Sequence, residues 1–328
     1  MRIAVTGSIA TDHLMVFPGR FADQLLPDQL AHVSLSFLVD RLEERRGGVA
    51  ANIAFGLGGF GLSPLLVGAV GTDFAEYEVW LKQHGVDTGG VRVSDDRQTA
   101  RFMCITDEDA NQIAAFYAGA MAEAPDIDLR ALVAGNERPD LVLISPDEPA
   151  AMLRHTAECR DLGIPFAADP SQQLARLDGN QVRALVDGAT WLFTNEYEAA
   201  LLKERTGWSR RRILEGVGTW VTTLGEKGAR IERGAAQLPL LVPAVPDAET
   251  ADPTGVGDAF RAGFLAAVSH RVPLESAVRL GCSLASVALG TVGSQSYQVD
   301  RAQLAGIVER AYGPEAVGPL APVLGEPS

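Results

Sequence analysis

From about residue 120 onward, short apolar runs alternate with stretches whose apolar residues recur every three to four positions, as in the βαβ units of a parallel sheet. The clearest unit reads as a strand over 141–145, a helix over 148–162 and a strand over 164–168. Met152, Leu153, Ala157 and Leu162 form its apolar stripe, and Gly163 suits a left-handed cap that stops the helix. Further strands are expected at 191–194 and 220–224, a hairpin over 229–242, and helices across 254–311. The apolar run over 3–10 reads as an opening strand. Residues 47–72 are uncharged for long enough to cross a membrane, but their eight glycines, Asn52 and Pro64 fit a glycine-rich loop, helix and strand better. The last sixteen residues, 313–328, hold seven Gly or Pro and predict irregular chain.

Two segments break this rhythm. Residues 13–46 and 91–118 carry β-leaning runs such as "HVSLSFLV" and "TARFMCIT". They predict a small β-sheet lid beside the strand ends where open α/β folds bind ligands. Residues 1–12, 47–90 and 119–328 would then form the large α/β domain. The fold class expected is α/β, a central mostly parallel sheet flanked by helices with a small β-sheet lid.

Charge narrows the function classes. A net charge of -14 leaves no electrostatic footprint for nucleic acid or an anionic membrane, so a polyanionic ligand must meet a locally positive site. Three cysteines stand far apart without a C-x-x-C pair and five histidines lack metal-ligand spacing, which fits a reducing cytoplasm and argues against a zinc enzyme. Asp12 breaks the N-terminal apolar run, so no secretory signal is expected.

The chemistry concentrates in "DPTGVGD", residues 252–258, directly ahead of an apolar helical run. The backbone N–H groups of Gly255, Val256 and Gly257, with about half a positive charge from the helix dipole, suit an anion, and the glycines admit it close to the main chain. The same residues also suit an ordinary helix start. Asp258 would repel a phosphate unless it had work to do, and orienting a hydroxyl nucleophile and taking its proton is such work. No G-x-x-x-x-G-K-[ST] sequence occurs, which excludes a P-loop enzyme, and "VTGSIATDH" lacks the G-x-G-x-x-G of a dinucleotide dehydrogenase. A second cluster, "RRGGVAANIAFGLGGFG" at 45–61, places Gly47 and Gly48 before a helix bearing Asn52, a donor and acceptor suited to a vicinal diol. Tight helix packing would explain those glycines equally well.

Together the clusters resemble the two signature motifs of the ribokinase-like (PfkB) carbohydrate kinases: Gly47, Gly48, Ala50, Asn52, Ala54, Gly61 and Gly71 in the first, Asp252 to Asp258 with Ala262 and Gly263 in the second. Val256 stands where the family usually has a small residue. The resemblance implies Asp258 as catalytic base and Gly255, Val256 and Gly257 as anion hole. "TNEYE" resembles the family's N-x-x-E element, implying Asn195 and Glu198 near Mg²⁺ and the phosphates of ATP, Glu198 through water. "TTLGEKG" resembles its nucleotide loop, implying Thr223, Gly225 and Gly228 at ATP. Asp252 and "GTVGS" (290–294) resemble a place where many relatives hold a monovalent cation, implying K⁺.

For the acceptor, "TGSIATDH", "HVSLSF", "TARFMC", "AAFYAG" and "DPSQQLARL" resemble the actinobacterial type of adenosine kinase within that family. This implies transfer of the ATP γ-phosphate to the 5′-hydroxyl of adenosine, in purine salvage. Asp12, Asn52 and Gly48 would hold the ribose and Ser8, Ser36, Gln172 and Gln173 address the nucleoside, with Phe102 and Phe116 offering faces for a purine. A homodimer through the lid is a further expectation. A ribokinase- or fructokinase-type sugar kinase, or a non-catalytic nucleoside-binding protein, are the alternatives.

Overall fold

Among the described residues nine strands form one sheet, in the order β13 (Leu240–Val242), β12 (Ala229–Glu232), β11 (Thr219–Thr223), β10 (Trp191–Asn195), β9 (Phe166–Ala168), β8 (Leu141–Ile144), β1 (Ile3–Thr6), β4 (Leu65–Val70), β5 (Asp87–Val93), and four form a second, small sheet, in the order β3 (Arg41–Gly47), β2 (Ala10–Val16), β6 (Ala100–Thr106), β7 (Gln112–Tyr117). The computed structural model describes residues 1–25, 34–134 and 138–325. In the large sheet β1, β4, β5, β8, β9, β10 and β11 run parallel, while β12 and β13 close the edge antiparallel.

Helices cover both faces of the large sheet, so its strands are apolar on both sides. Ile3 and Val5 join one core with helices Val49–Gly59, Val256–Ser269 and Leu274–Leu289; Ala4 joins the other with Pro149–Leu162 and Gly179–Val186. The expected 148–162 helix starts where Glu148 accepts the N–H groups of Ala150 and Ala151, and it ends at Gly163 in the left-handed conformation (φ 61°).

Several expectations are corrected. The opening strand stops at Thr6, and Ala10 already belongs to the small sheet. Of "HVSLSFLV", residues 32 and 33 lie outside the described ones, and 34–39 form no strand: the lid strand is the charged "RLEERRG" instead. Its ladder hydrogen bonds to β2 override β-propensity here. Residues 91–93 end β5 of the large sheet, because Val91 and Val93 pair with Gly68 and Val70. The glycine- and proline-rich end is not wholly irregular: short helical turns over Pro314–Ala316, Gly318–Leu320 and Ala321–Leu324 bury Leu320, Val323 and Leu324. Among the described residues no helix is long and apolar enough to cross a membrane.

Candidate active site

Asp258 sits in the first turn of helix Val256–Ser269, whose N-cap is Gly255 at φ 77°. A side chain at Gly255 would meet Ser294, with Cβ only 2.5 Å from Cβ, so glycine is required both by conformation and by space. Beside this turn lies a cavity of about 170 Å³ lined by Gly257, Asp258, Arg261, Asp169, Asn195, Glu198 and Thr223 among others; Gly255 and Val256 fall outside that lining, and the Val256 N–H bonds the Pro253 carbonyl at 3.5 Å. The cavity lies at the carboxyl ends of β9, β10 and β11, where open α/β sheets bind ligands. A larger cavity, about 300 Å³, opens at the other end of the sheet around Met1, Pro64 and Asp87 and touches none of these residues.

Asn52, one turn into helix Val49–Gly59, donates from Nδ2 to Asp258 Oδ2 at 2.8 Å. Its Oδ1 accepts from Ser294 Oγ (3.0 Å) and Gln295 Nε2 (2.9 Å). Gln295 in turn donates to the Tyr77 hydroxyl, which donates to the Gly47 carbonyl at 2.8 Å. The network fixes the Asp258 carboxylate from behind. Burial pushes Asp258 up to about 7; the Asn52 bond and the Arg261 charge oppose it, while Asp169 and Asp12 reinforce it.

Arg261, one turn after Asp258, pairs with Asp169 at the end of β9, with Nη2 2.6 Å from Oδ1 and Nε 2.5 Å from Oδ2, and donates from Nη1 to the Gly257 carbonyl at 3.0 Å. Burial lifts Asp169 to about 6 although Arg261 draws it down. Asn195 and Glu198 form a reciprocal cap: Asn195 Oδ1 accepts the Glu198 N–H and Glu198 Oε2 accepts the Asn195 N–H, both at 2.8 Å. Ser171 Oγ donates to Glu198 Oε1 at 3.2 Å. Ser171, Asn195 and Glu198, with Thr223 beside Asn195 in register, line the same cavity as Asp258.

The residues lining this cavity come from the large body, and none of them belongs to the small sheet. Arg45, Asp12, Phe102 and Phe116 are partners in successive strand pairings, so they form one row on one face. Asp12 is thus the third residue of a small-sheet strand, although residues 1–12 were expected in the large domain. Burial raises it above the ordinary carboxylate range, against the pull of Arg45 and His13. Gly48, at φ 93°, packs so closely that a Cβ would lie 2.6 Å from Ala10 N and from Ser8 O; Ser8 Oγ accepts the Val49 N–H at 3.0 Å.

Several expected residues stand apart. Gln172 is exposed, and Gln173 is buried and donates to the Asp147 carbonyl at 2.7 Å. Ser36 is exposed in the irregular 34–39 stretch. Gly225 and Gly228 form the turn after β11, Gly228 against the Val242 carbonyl, outside the cavity lining. Asp252 lies beside the anion loop, but Arg45 Nη1 (3.0 Å), the Thr254 N–H (2.9 Å) and the Gly293 N–H (3.0 Å) occupy its carboxylate, a donor set that does not fit the expected K⁺. Sequence reasoning missed Asp169, Arg261 and Arg45. An aspartate at the end of "FAA" and an arginine in an otherwise apolar helix were signals for the first two; nothing local marks Arg45.

Residues 8–301 match the model of the pfkB family carbohydrate kinases, and the chain belongs to that family. The nucleoside kinase of Burkholderia thailandensis is similar over its whole fold: its complex with inosine shares 34% identity and a TM-score of 0.82, covering 95% of this chain and 98% of that one. Its complex with ADP-inosine shares 36% identity and a TM-score of 0.79, covering 95% and 96%. The nucleoside kinase of Methanothermobacter thermautotrophicus is 30% identical over 272 residues, 82% of this chain and 86% of that protein. The ribokinase of Bacillus subtilis is 28% identical over 252 residues, 76% and 81%. The ribokinase-like architecture expected from the motifs is the one found.

Proposed function

We propose that this protein is an ATP-dependent nucleoside kinase that transfers the γ-phosphate to the 5′-hydroxyl of adenosine, giving AMP and ADP. The observation that carries the proposal is Asp258, a half-buried carboxylate that lines the cavity, is held by Asn52 at 2.8 Å and stands in the first turn of a helix started by Gly255. The 5′-hydroxyl gives its proton to Asp258 as its oxygen bonds the γ-phosphorus and the bond from that phosphorus to the β–γ bridging oxygen breaks, releasing ADP; the N–H groups of Gly255, Val256 and Gly257 would face the charge on the transferred phosphoryl group. Arg261, anchored by Asp169, adds fixed positive charge at the same wall.

Glu198 and Asn195 present oxygens to the cavity, a donor set that fits a hard divalent cation keeping its waters. Mg²⁺ bound there with ATP would neutralise phosphate charge. Thr223 lies on the ATP side by the same reading, with Gly225 and Gly228 behind it. The row Asp12, Phe102 and Phe116 would take the nucleoside, Asp12 and Asn52 at the ribose diol and the rings at the purine; Ser8 and Gly48, packed beside Ala10 at the start of β2, complete that side. The similar nucleoside kinases, one of them bound to inosine, support a nucleoside over a free sugar. A homodimer through the lid has support in β7, an edge strand with all six residues exposed.

The match to a ribokinase favours a second reading, a sugar kinase of the same fold. Steady-state phosphotransfer from ATP to adenosine, inosine, cytidine, ribose and fructose separates the two. The proposal expects adenosine to give the highest kcat/KM. Saturation by ribose, with nucleosides inert, would establish the sugar kinase.

A further inference from the structure

The loop that shapes the anion site carries one carboxylate that the proton transfer does not use. Asp252 ties two segments together, accepting the Thr254 N–H on Oδ1 and the Gly293 N–H on Oδ2. Its third donor comes from the small sheet. Arg45 of β3 reaches Oδ2 with Nη1 at 3.0 Å, while its Nε and Nη2 are held by Glu43, which Arg41 also contacts. The side chains are 13% exposed for Asp252 and 25% for Arg45, so solvent screens the pair only partly. Ser294 Oγ, whose hydrogen goes to Asn52 Oδ1, also lies 3.2 Å from the Arg46 carbonyl, so the same end of β3 sits against the loop that packs on Gly255.

A monovalent metal ion needs several oxygens with free lone pairs and no fixed positive charge beside them. Asp252 offers neither. Yet an uncompensated carboxylate behind the N–H groups of the anion site would oppose the negative charge they face, so some cation has to stand there. A guanidinium does this with directed bonds and without a free ion in solution.

We propose that Arg45 is a built-in counter-cation: its guanidinium neutralises Asp252 beneath the anion site in place of a monovalent metal ion, so that turnover is independent of K⁺ and requires the lid strand to be seated. The turnover half rests on the kinase reading; the cation half does not. Arg45 acts through Asp252 and the loop, as a positioning residue.

The test uses the full chain as wild type, Arg45→Ala, Arg45→Gln and Arg45→Lys. Phosphotransfer and Tm are measured in KCl and in tetramethylammonium chloride at equal ionic strength. Wild type should have the same rate and Tm in both salts. Arg45→Ala should lose about tenfold or more in kcat in tetramethylammonium, as befits a charge-assisted contact removed, and K⁺ should restore part of the rate and raise the Tm. Arg45→Gln should behave likewise if the Ala variant does not fold, and Arg45→Lys should keep the wild-type indifference to K⁺. Strong K⁺ activation or K⁺-specific stabilisation of the wild type would overturn the proposal, as would Ala and Gln variants that stay indifferent to K⁺ in rate and Tm. The Tm series reads the cation whether or not any nucleoside is phosphorylated. A wild type without phosphotransfer, together with K⁺-dependent stabilisation of the variants alone, would sink the kinase reading and leave the counter-cation standing.

Discussion

A carboxylate is a better base near neutral pH when its surroundings raise its pKa and hold it in a fixed orientation. At Asp258 burial does the first and the Asn52 N–H the second. Replacing Asp258 by Asn should keep nucleoside affinity and lower kcat by about 10² to 10⁴, the usual range for a positioned base. Near-normal kcat in that variant would remove the assignment. Because the base must be ionised, activity should rise with pH through an acid limb near 7. The Asn52 bond lowers the pKa against burial, so Asn52→Ala should move that limb to higher pH, as a pH series of kcat/KM will register. Asp258 was legible in the sequence because its helix start and glycines are contiguous. Arg261 and Asp169, which share its cavity, were not, since their ion pair spans 92 positions, and Arg45 meets Asp252 across 207. Local patterns carry no information about such contacts.

Elements were readable where sequence and local chemistry agree. The helix between Glu148 and Gly163 and the strands β8 to β11 follow from apolar periodicity and capping residues. The charged strand β3 was not readable, because its place comes from pairing with β2 and not from burying an apolar face. Gly255 belongs to this scale, since it starts a helix. An alanine there would take a φ of 77° and press on Ser294, so Gly255→Ala should lower stability by roughly 1 to 3 kcal/mol and depress phosphotransfer further by bending the anion loop. Denaturant melts and kcat measured together check it; a stable, fully active variant would show that the loop does not depend on this turn.

Over the whole molecule, the small sheet carries Asp12, Phe102 and Phe116 on one face while Asn52 and Asp258 belong to helices of the large body. A nucleoside held between them would draw the two parts together and keep water from the phosphoryl group. The two insertions were visible in the sequence as breaks in the α/β rhythm, but the sheet to which Asp12 belongs was not, because the small sheet begins at Ala10. A double variant, Phe102→Ala with Phe116→Ala, should weaken nucleoside binding and raise ATP hydrolysis per transfer. Hydrogen exchange that protects neither insertion on adding adenosine would argue against closure. The most direct measurement for the central claim is ³¹P NMR of ATP, Mg²⁺ and adenosine with wild type and Asp258→Asn side by side. The account predicts ADP and a phosphomonoester coupled to the 5′ protons, formed by the wild type and nearly absent with the variant. Inorganic phosphate alone, a phosphate on another hydroxyl, or equal product from both proteins would contradict it.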